Sequence, residues 1–155
     1  EYYCELWQRE GWLETACLRF FNVFGPRQDP NSAYAAAVPI FIDKARKGET
    51  ITVFGDGEQT RDFIYVKDIA AGLAYAADTE SVRGVYNIGY GNSTSINQLA
   101  AEIVRITGSS SEIDHAPTRP GDVKHSRASA EKLAATGWQP LYGFEQGLEE
   151  TLNQP

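Results

Sequence analysis

The sequence contains no methionine, not even at its first position, and no apolar run near the ~20 residues a membrane-spanning helix requires. Its opening, Glu1-Tyr2-Tyr3-Cys4-Glu5, has neither the basic n-region nor the apolar h-region of a secretory signal. Cysteine and histidine are scarce, with two of each. Cys4 and Cys17 fall in different predicted elements; without a secretion signal, reduced and packed thiols are expected rather than a disulfide. His115 and His125 lack metal-ligand spacing with either cysteine, so no metal site is expected. Basic residues are the minority, 14 Lys and Arg against 21 Asp and Glu, for a net charge of −7. An acidic surface repels polyanions, which argues against nucleic acid and leaves room for a small anion where arginines converge. These absences point to a cytoplasmic protein with no membrane and no nucleic-acid partner. Internal repeats, low-complexity tracts, a nucleophile–base pair and a Gly-x-Gly-x-x-Gly after a strand are all missing as well. The absent initiator and an opening in mid-helix, uncapped before Tyr2, read as a piece whose upstream part is missing or was removed.

What is present is an ordinary globular composition, 42% hydrophobic and 23% charged over 155 residues. That length suits one domain, 1–155, with a real core. Helix 1–10 carries Tyr3, Leu6, Trp7 and Glu10 at i, i+3, i+4, i+7, and Gly11 is a natural cap. Strand 14–20 is apolar on both faces apart from Arg19, as in a covered sheet. Asn22-Val23-Phe24-Gly25-Pro26 then breaks the chain, Gly-Pro being strong turn punctuation. Helix 35–47 presents Val38, Phe41, Ile42 and Ala45, with cations near its C-terminus. Strand 51–54, a glycine turn at 55–57, a short strand at 61–64 and helix 67–78 follow, the helix with Ile69, Leu73 and Ala76 inward. After strand 84–88, Ser95-Ile96-Asn97-Gln98 has capping-box form and opens a helix to about residue 107 with Ile96, Leu99, Ile103 and Ile106 on its apolar face. A short strand at 112–115, helix 129–136 and helix 144–153, with Phe144, Leu148 and Leu152 aligned, complete the chain. Helices and strands alternate, so the fold class is α/β.

The chain is organised around residues 52–69. A strand breaks at Gly55 and Gly57, and the chain resumes with Arg61 among aromatic and apolar neighbours before a helix. Two readings stand: Arg61 holds a phosphate, or it forms a structural Arg–Asp pair after an exposed turn. Arg27 and Arg119 also follow breaks, and Arg61 and Arg119 have carboxylates nearby in Asp62 and Asp122. A guanidinium fork matches diphosphate oxygens and its charge does not titrate away; the alternative is surface ion pairs of ~0–1 kcal/mol. Asn22 and Asn87 stand at the C-terminal ends of predicted strands, where ligands bind in open α/β sheets, although either asparagine also suits a turn. Gly89-Tyr90-Gly91 is a lone glycine pair. Asp56, Glu58, Asp62 and Asp68 read as turn, cap and ion-pair residues rather than as an acid/base pair.

Leu18-Arg19-Phe20-Phe21-Asn22-Val23-Phe24-Gly25-Pro26-Arg27 resembles the strand-and-loop segment of nucleotide-sugar epimerases and dehydratases, the extended short-chain dehydrogenase/reductases. Residues 54–57 with 61–68, Val85-Tyr86-Asn87-Ile88-Gly89, Arg119-Pro120-Gly121-Asp122 and Gly137-Trp138 are similar to further motifs of that family, in its order. The stretch 28–36 resembles the UDP-hexose 4-epimerase branch. The resemblance implies a UDP-sugar pocket. Asn22 would contact the diphosphate, and Arg61 and Arg119 would clamp it. Asp122 would accept from ribose hydroxyls, while Val38 and strand residues Thr52 to Phe54 line the nucleoside pocket. Asn87 is a further candidate contact, and Phe21 would lie near the nicotinamide of NAD.

The resemblance further implies reversible oxidation at C4 of a UDP-sugar with NAD as cofactor. Family members are roughly twice as long and begin with a dinucleotide-binding half, which holds the glycine-rich turn and a Tyr-x-x-x-Lys pair. Both are absent here, so this chain corresponds to the C-terminal, substrate-binding portion of a Rossmann-like fold. Helix 1–10 and the two strands at 14–20 and 84–88 would then expose apolar faces and edges, which predicts a homodimer or higher oligomer. Three functions follow: the substrate-binding half of a 4-epimerase that is not catalytic alone, a nucleotide-sugar-binding module, or an interaction protein on a decayed scaffold. A dTDP-sugar 4,6-dehydratase or UDP-glucuronate decarboxylase uses the same downstream motifs.

Overall fold

In a computed structural model, residues 1–32 and 36–154 are described. The elements run α1 (Tyr2–Arg9), β1 (Ala16–Phe20), β2 (Asn22–Phe24), α2 (Ala37–Lys47), β3 (Ile51–Phe54), β4 (Thr60–Arg61), β5 (Phe63–Tyr65), α3 (Val66–Asp78), β6 (Gly84–Ile88), β7 (Thr94–Ser95), α4 (Ile96–Thr107), β8 (Ile113–Ala116), α5 (Glu131–Ala134) and α6 (Phe144–Asn153). The α/β alternation of the sequence is the alternation observed. Strands pair two by two: β1 with β6, β2 with β5 and β3 with β8, all parallel, and β4 with β7 antiparallel.

Strand β5 separates two apolar cores. Successive side chains on a strand point to opposite faces. Phe63 and Tyr65 accordingly enter a core with Phe24, Val38, Phe41, Val53, Leu99, Ile103 and Leu148. Ile64, between them, enters a second core with Ile69, Val82, Ile88, Leu133 and Trp138. All three β5 residues are buried. Helices α2 and α4 flank the first core through the faces their periodicity predicts. Val38, Phe41, Ile42 and Ala45 are buried on α2, and Ile96, Leu99 and Ile103 on α4. The capping box of α4 forms in full: Gln98 N–H donates to Ser95 Oγ at 3.1 Å, and Ser95 N–H to Gln98 Oε1 at 2.9 Å.

Several expectations are corrected. The residues 22–24, read as a break, form β2 and pair with β5 in register Asn22↔Phe63 to Phe24↔Tyr65. The single strand expected at 61–64 is two strands, β4 and β5, interrupted at Asp62, which turns its carboxylate inward. On α3, Ile69 and Ala76 are buried but Leu73 is 47% exposed, because the cores lie to one side of the stripe that contains it. Helix 129–136 shrinks to the single turn of α5. Strand β1 is not covered on both faces; Arg19 and Phe20 are exposed. Helix α1 buries no residue, and Tyr3 is 73% exposed. Cys4 and Cys17 are free thiols, each half-buried. Ala33, Tyr34 and Ala35, within the loop likened to the 4-epimerase branch, lie outside the described residues. Among the described residues, no helix is long and apolar enough to cross a membrane, and no cluster of His, Cys, Asp and Glu is placed to hold a metal ion.

Candidate functional site

The organising stretch turns at two glycines. Gly55 and Gly57 take φ of +79° and +74°, a region that favours glycine. The turn is then pinned by the start of α4. Asn97 Nδ2 donates to Asp56 O at 2.9 Å and to Glu58 Oε1 at 2.8 Å, and Asn97 N–H donates to Gly57 O. Strand β4 then places Arg61 on one side of the chain and Asp62 on the other.

Arg61 faces a cleft of about 810 Å³ lined by β3, β4, the first turns of α2 and the loop at 119–122. The cleft brings together Asn22, Val38, Thr52, Phe54, Arg61, Arg119 and Asp122 from the sequence-predicted set. Phe41, Lys44, Gln59, Phe63 and Ile96 line it too and were not predicted as site residues. Gln59 bridges two parts of the wall: its Nε2 donates to Phe54 O at 2.7 Å and reaches Asp122 Oδ2 at 3.5 Å.

The arginines are held differently. Arg61 Nη1 donates to Thr60 O at 2.8 Å and to Val123 O at 2.5 Å, while Nη2 donates to Asp122 Oδ1. The adjacent Asp62 is not its partner, which corrects the pairing suggested by sequence proximity. Arg119 sits over the Phe54 ring, its guanidinium carbon 3.6 Å from the centroid, a cation–π contact. Among the described residues it forms no ion pair. Asn22 opens β2, and its Nδ2 donates to Asp62 O at 3.1 Å.

Three candidates stand elsewhere. Asn87 is outside the cleft and donates to Ser129 O at 3.2 Å. Phe21 is half-buried between β1 and β2, its N–H bound to Ile88 O, and does not line the cleft. Arg27 is exposed, with φ +68°, and lines a separate hollow of about 200 Å³ beside Arg46.

Outside the cleft lining are two fully buried carboxylates that sequence reasoning read as turn, cap or ion-pair groups. Asp62 accepts from Tyr90 N–H at 3.0 Å, Gly91 N–H at 2.8 Å and Ala128 N–H at 3.1 Å. Asp68 accepts from Tyr90 Oη at 2.6 Å and from the N–H groups of Leu141 and Tyr142. Among the described residues, neither has a cationic partner. Tyr90 therefore connects them, N–H to one and hydroxyl to the other, and its Oη also accepts from Tyr65 N–H at 3.2 Å. Burial, and then the bond to Asp68, push the Tyr90 hydroxyl well above the ordinary tyrosine range.

The glycines at 25, 57 and 89 do not offer an open anion cradle. A Cβ on Gly89 would meet Asp62 and Ala128 at under 3 Å, one on Gly57 would meet Asn97, and one on Gly25 would meet Val66. The chain's own side chains fill those approaches.

Comparison with known proteins accords with this arrangement. The sequence model of the "NAD dependent epimerase/dehydratase family" matches residues 1–89. A UDP-N-acetylglucosamine 4-epimerase from Methanobrevibacter ruminantium M1, solved with UDP-N-acetylmuramic acid, is 42% identical with a TM-score of 0.92, over 99% of this chain and 49% of that one. The UDP-glucose 4-epimerase of Thermotoga maritima, solved with UDP-glucose, is 38% identical with a TM-score of 0.89, over 98% and 49%. A UDP-N-acetyl-alpha-D-glucosaminuronate decarboxylase from Bacillus cytotoxicus is 36% identical over 90% of this chain and 46% of its own length. The chain thus spans about half the length of these relatives. With that match over more than half its residues, and the motif residues gathered in one cleft, the chain belongs to the NAD-dependent epimerase/dehydratase family.

Proposed function

We propose that this chain binds a nucleotide sugar, specifically a UDP-sugar, in the 810 Å³ cleft, as the substrate-binding part of a sugar 4-epimerase. The observation that carries the reading is the convergence of Arg61 and Arg119 with Asn22 and Asp122 around one cavity. Two guanidinium groups offset the desolvation of a diphosphate and fix its direction. Val38, Phe41, Thr52 and Phe54 offer an apolar wall to the nucleoside, and Asp122 an acceptor to its ribose. Asn87, tied to Ser129 outside the cleft, is not assigned to the ligand.

NAD is implied by the family, but the residues described do not fit a dinucleotide pyrophosphate. The tight glycines after strands are filled by Asp62, Ala128, Asn97 and Val66, and Phe21 is the one candidate neighbour. No hydride step is therefore assigned to this chain, and its part is to bind and orient the sugar nucleotide. Turnover by the chain alone is not expected.

Titration with UDP and with UDP-glucose by calorimetry tests the reading. Arg119→Ala removes a guanidinium whose one described partner is the Phe54 ring, so it is the cleaner probe. A loss of about 1.5–3 kcal/mol in binding is expected, the size of a hydrogen bond to a charged group. Wild-type protein that ignores UDP refutes the proposal, and so does a variant with unchanged affinity. The 36% identity to a decarboxylase favours a second reading in which the same cleft takes a UDP-uronic acid; tighter binding of UDP-glucuronate than of UDP-glucose selects it.

We also infer that the face formed by Tyr2, Tyr3, Trp7, Trp12 and Leu13, all exposed, is covered in a homodimer or higher oligomer. Aromatic side chains in that number on one short helix and its following turn form a patch of the kind that marks an interface. Light scattering that finds a folded monomer at micromolar concentration refutes it. A stable oligomer without affinity for UDP would instead favour an interaction protein.

A further inference from the structure

We infer that Asp122 is a specificity-determining residue: by occupying Arg61 it makes the cleft reject inorganic diphosphate and phosphate and accept the same anion only when a ribose is attached. The inference rests on the nucleotide-sugar reading above and goes beyond it, because it concerns what the cleft refuses.

Arg61 cannot swing toward an arriving anion. Both Nη1 donors are spent on the carbonyls of Thr60 and Val123, at 2.8 and 2.5 Å. Of the remaining donors, one on Nη2 is held by Asp122 Oδ1. The side chains are 16% and 30% exposed, respectively, so the pair is shielded but reachable. Asp122 is itself placed by its neighbours: its N–H donates to Arg119 O at 3.3 Å, and Gln59 approaches its second oxygen. The charge of Arg61 is thus cancelled in place. Arg119 remains the cation without a described counter-ion at this end of the cleft, and Lys44 lies along the wall beyond, its Nζ on Thr50 O at 2.9 Å.

A bare diphosphate entering this arrangement must either share Arg61 with a like-charged carboxylate or separate that carboxylate from its described ion-pair partner. Both outcomes cost affinity. A nucleoside diphosphate changes the balance. Its ribose carries vicinal hydroxyls, and an ionised carboxylate is an acceptor with about four lone-pair sites. Asp122 can exchange the guanidinium N–H for sugar O–H groups while the diphosphate takes the vacated donor. The displacement is compensated only when the ribose and the diphosphate arrive together. In a cell, where free phosphate and diphosphate compete for any pair of arginines, such an exchange keeps the cleft open for the nucleotide.

The test is Asp122→Asn, an isosteric change, titrated by calorimetry with inorganic diphosphate and with UDP. Wild-type protein is expected to bind UDP at least a hundredfold tighter than diphosphate. Asp122→Asn is expected to bind diphosphate about tenfold tighter than wild type does, a gain of about 1.4 kcal/mol, and UDP several-fold more weakly. The ratio between the two ligands then falls more than tenfold. Asp56→Asn, at the exposed turn outside the cleft, removes the same charge and is expected to leave both affinities unchanged; equal effects in the two variants refute the inference in favour of a general field. Diphosphate binding that is unchanged or weaker in Asp122→Asn, with UDP still bound by wild type, also overturns it. Wild type that does not bind UDP overturns the nucleotide-sugar reading instead. If the amide variant is unstable, Asp122→Ser removes the carboxylate with less volume and is expected to shift the ratio in the same direction; an unshifted ratio there overturns the inference equally.

Discussion

Asp62→Asn is the most informative single change outside the cleft lining. The carboxylate is fully buried, yet its three partners are all backbone N–H groups: Tyr90 on Oδ1, and Gly91 and Ala128 on Oδ2. Hydrogen bonds to a charged group are worth about 1.5–3 kcal/mol each, so the gross interaction is about 5–9 kcal/mol, of which carboxylate desolvation returns several. In the asparagine variant the oxygen best replaces Oδ2, which keeps Gly91 and Ala128. The amide nitrogen then faces the Tyr90 N–H, donor against donor. One bond is lost, one buried N–H goes unpaired at about 1–3 kcal/mol, and the two surviving bonds lose their charge assistance. A net destabilisation of about 3 kcal/mol follows from these magnitudes. With a urea slope of about 2 kcal/mol/M, the unfolding midpoint should fall by about 1.5 M. Amide exchange at Tyr90, Gly91 and Ala128 should accelerate, while Leu99 and Ile103 in the other core keep their protection up to the new global limit. A midpoint within about 0.3 M of wild type would show that Asp62 is merely tolerated, and would refute the view that it ties these loops beneath Arg61.

Two further changes test the same framework. Tyr90→Phe removes the hydroxyl that donates to Asp68 and accepts from Tyr65 N–H, and should cost about 1–3 kcal/mol in chemical unfolding. Its folded hydroxyl titrates above the ordinary value, so its contribution is complete below about pH 10 and is lost as pH rises beyond that; alkaline stability profiles should therefore be flatter in the variant, and parallel profiles would refute the assignment. Gly57→Ala places a Cβ 1.9 Å from Asn97 Oδ1 at φ +74°, so a loss of about 1–3 kcal/mol from backbone strain is expected. In an Asn97→Ala background, which already lacks the Asn97 side-chain bonds to Asp56 O and Glu58, Gly57→Ala should cost the strain alone, and a costless substitution there in thermal melts would show that the turn tolerates the conformation.

The sequence was readable where a signal repeats locally. Four apolar residues of α2 at helical spacing were enough to place its buried face, and Ser95 with Gln98 gave the start of α4. Strand β2 was hidden because three residues cannot display a period of two, and its partner β5 lies about 40 residues away. Leu73 had the spacing of an inward residue, but which part of an apolar stripe is covered depends on neighbours that helical spacing does not encode. Most of the cleft was legible through the motif residues Asn22, Phe54, Arg61, Arg119 and Asp122. Gln59 and Lys44 were not, since an amide after a turn and a lysine near a helix end carry no mark of facing a ligand. Asp62 left a faint trace: a carboxylate beside the apolar run Phe63-Ile64-Tyr65, where charge is unwelcome unless it has partners. That those partners are the N–H groups at 90, 91 and 128 could come only from the tertiary fold.

The way Arg61 is held also decides how the site can be probed. The loop that brings Arg119 and Asp122 to the cleft has few apolar anchors of its own; Val123 is 57% exposed. It is fastened through Thr60, whose N–H donates to Lys124 O and whose carbonyl accepts from Ser126 N–H, and through the bonds from Arg61 to Val123 O and Asp122. Arg61 therefore anchors the loop as well as facing the ligand. A loss of affinity in Arg61→Ala mixes a missing diphosphate contact with a displaced Arg119, and the two need not add. Arg119 lacks that second duty, for its described contact is the face of Phe54. A double-mutant cycle over the two arginines thus measures how far the loop depends on Arg61. If the ligand contacts were independent, the two losses would sum. If Arg61 positions Arg119, the second substitution costs less in the absence of the first residue, because the guanidinium it removes has already left the cleft.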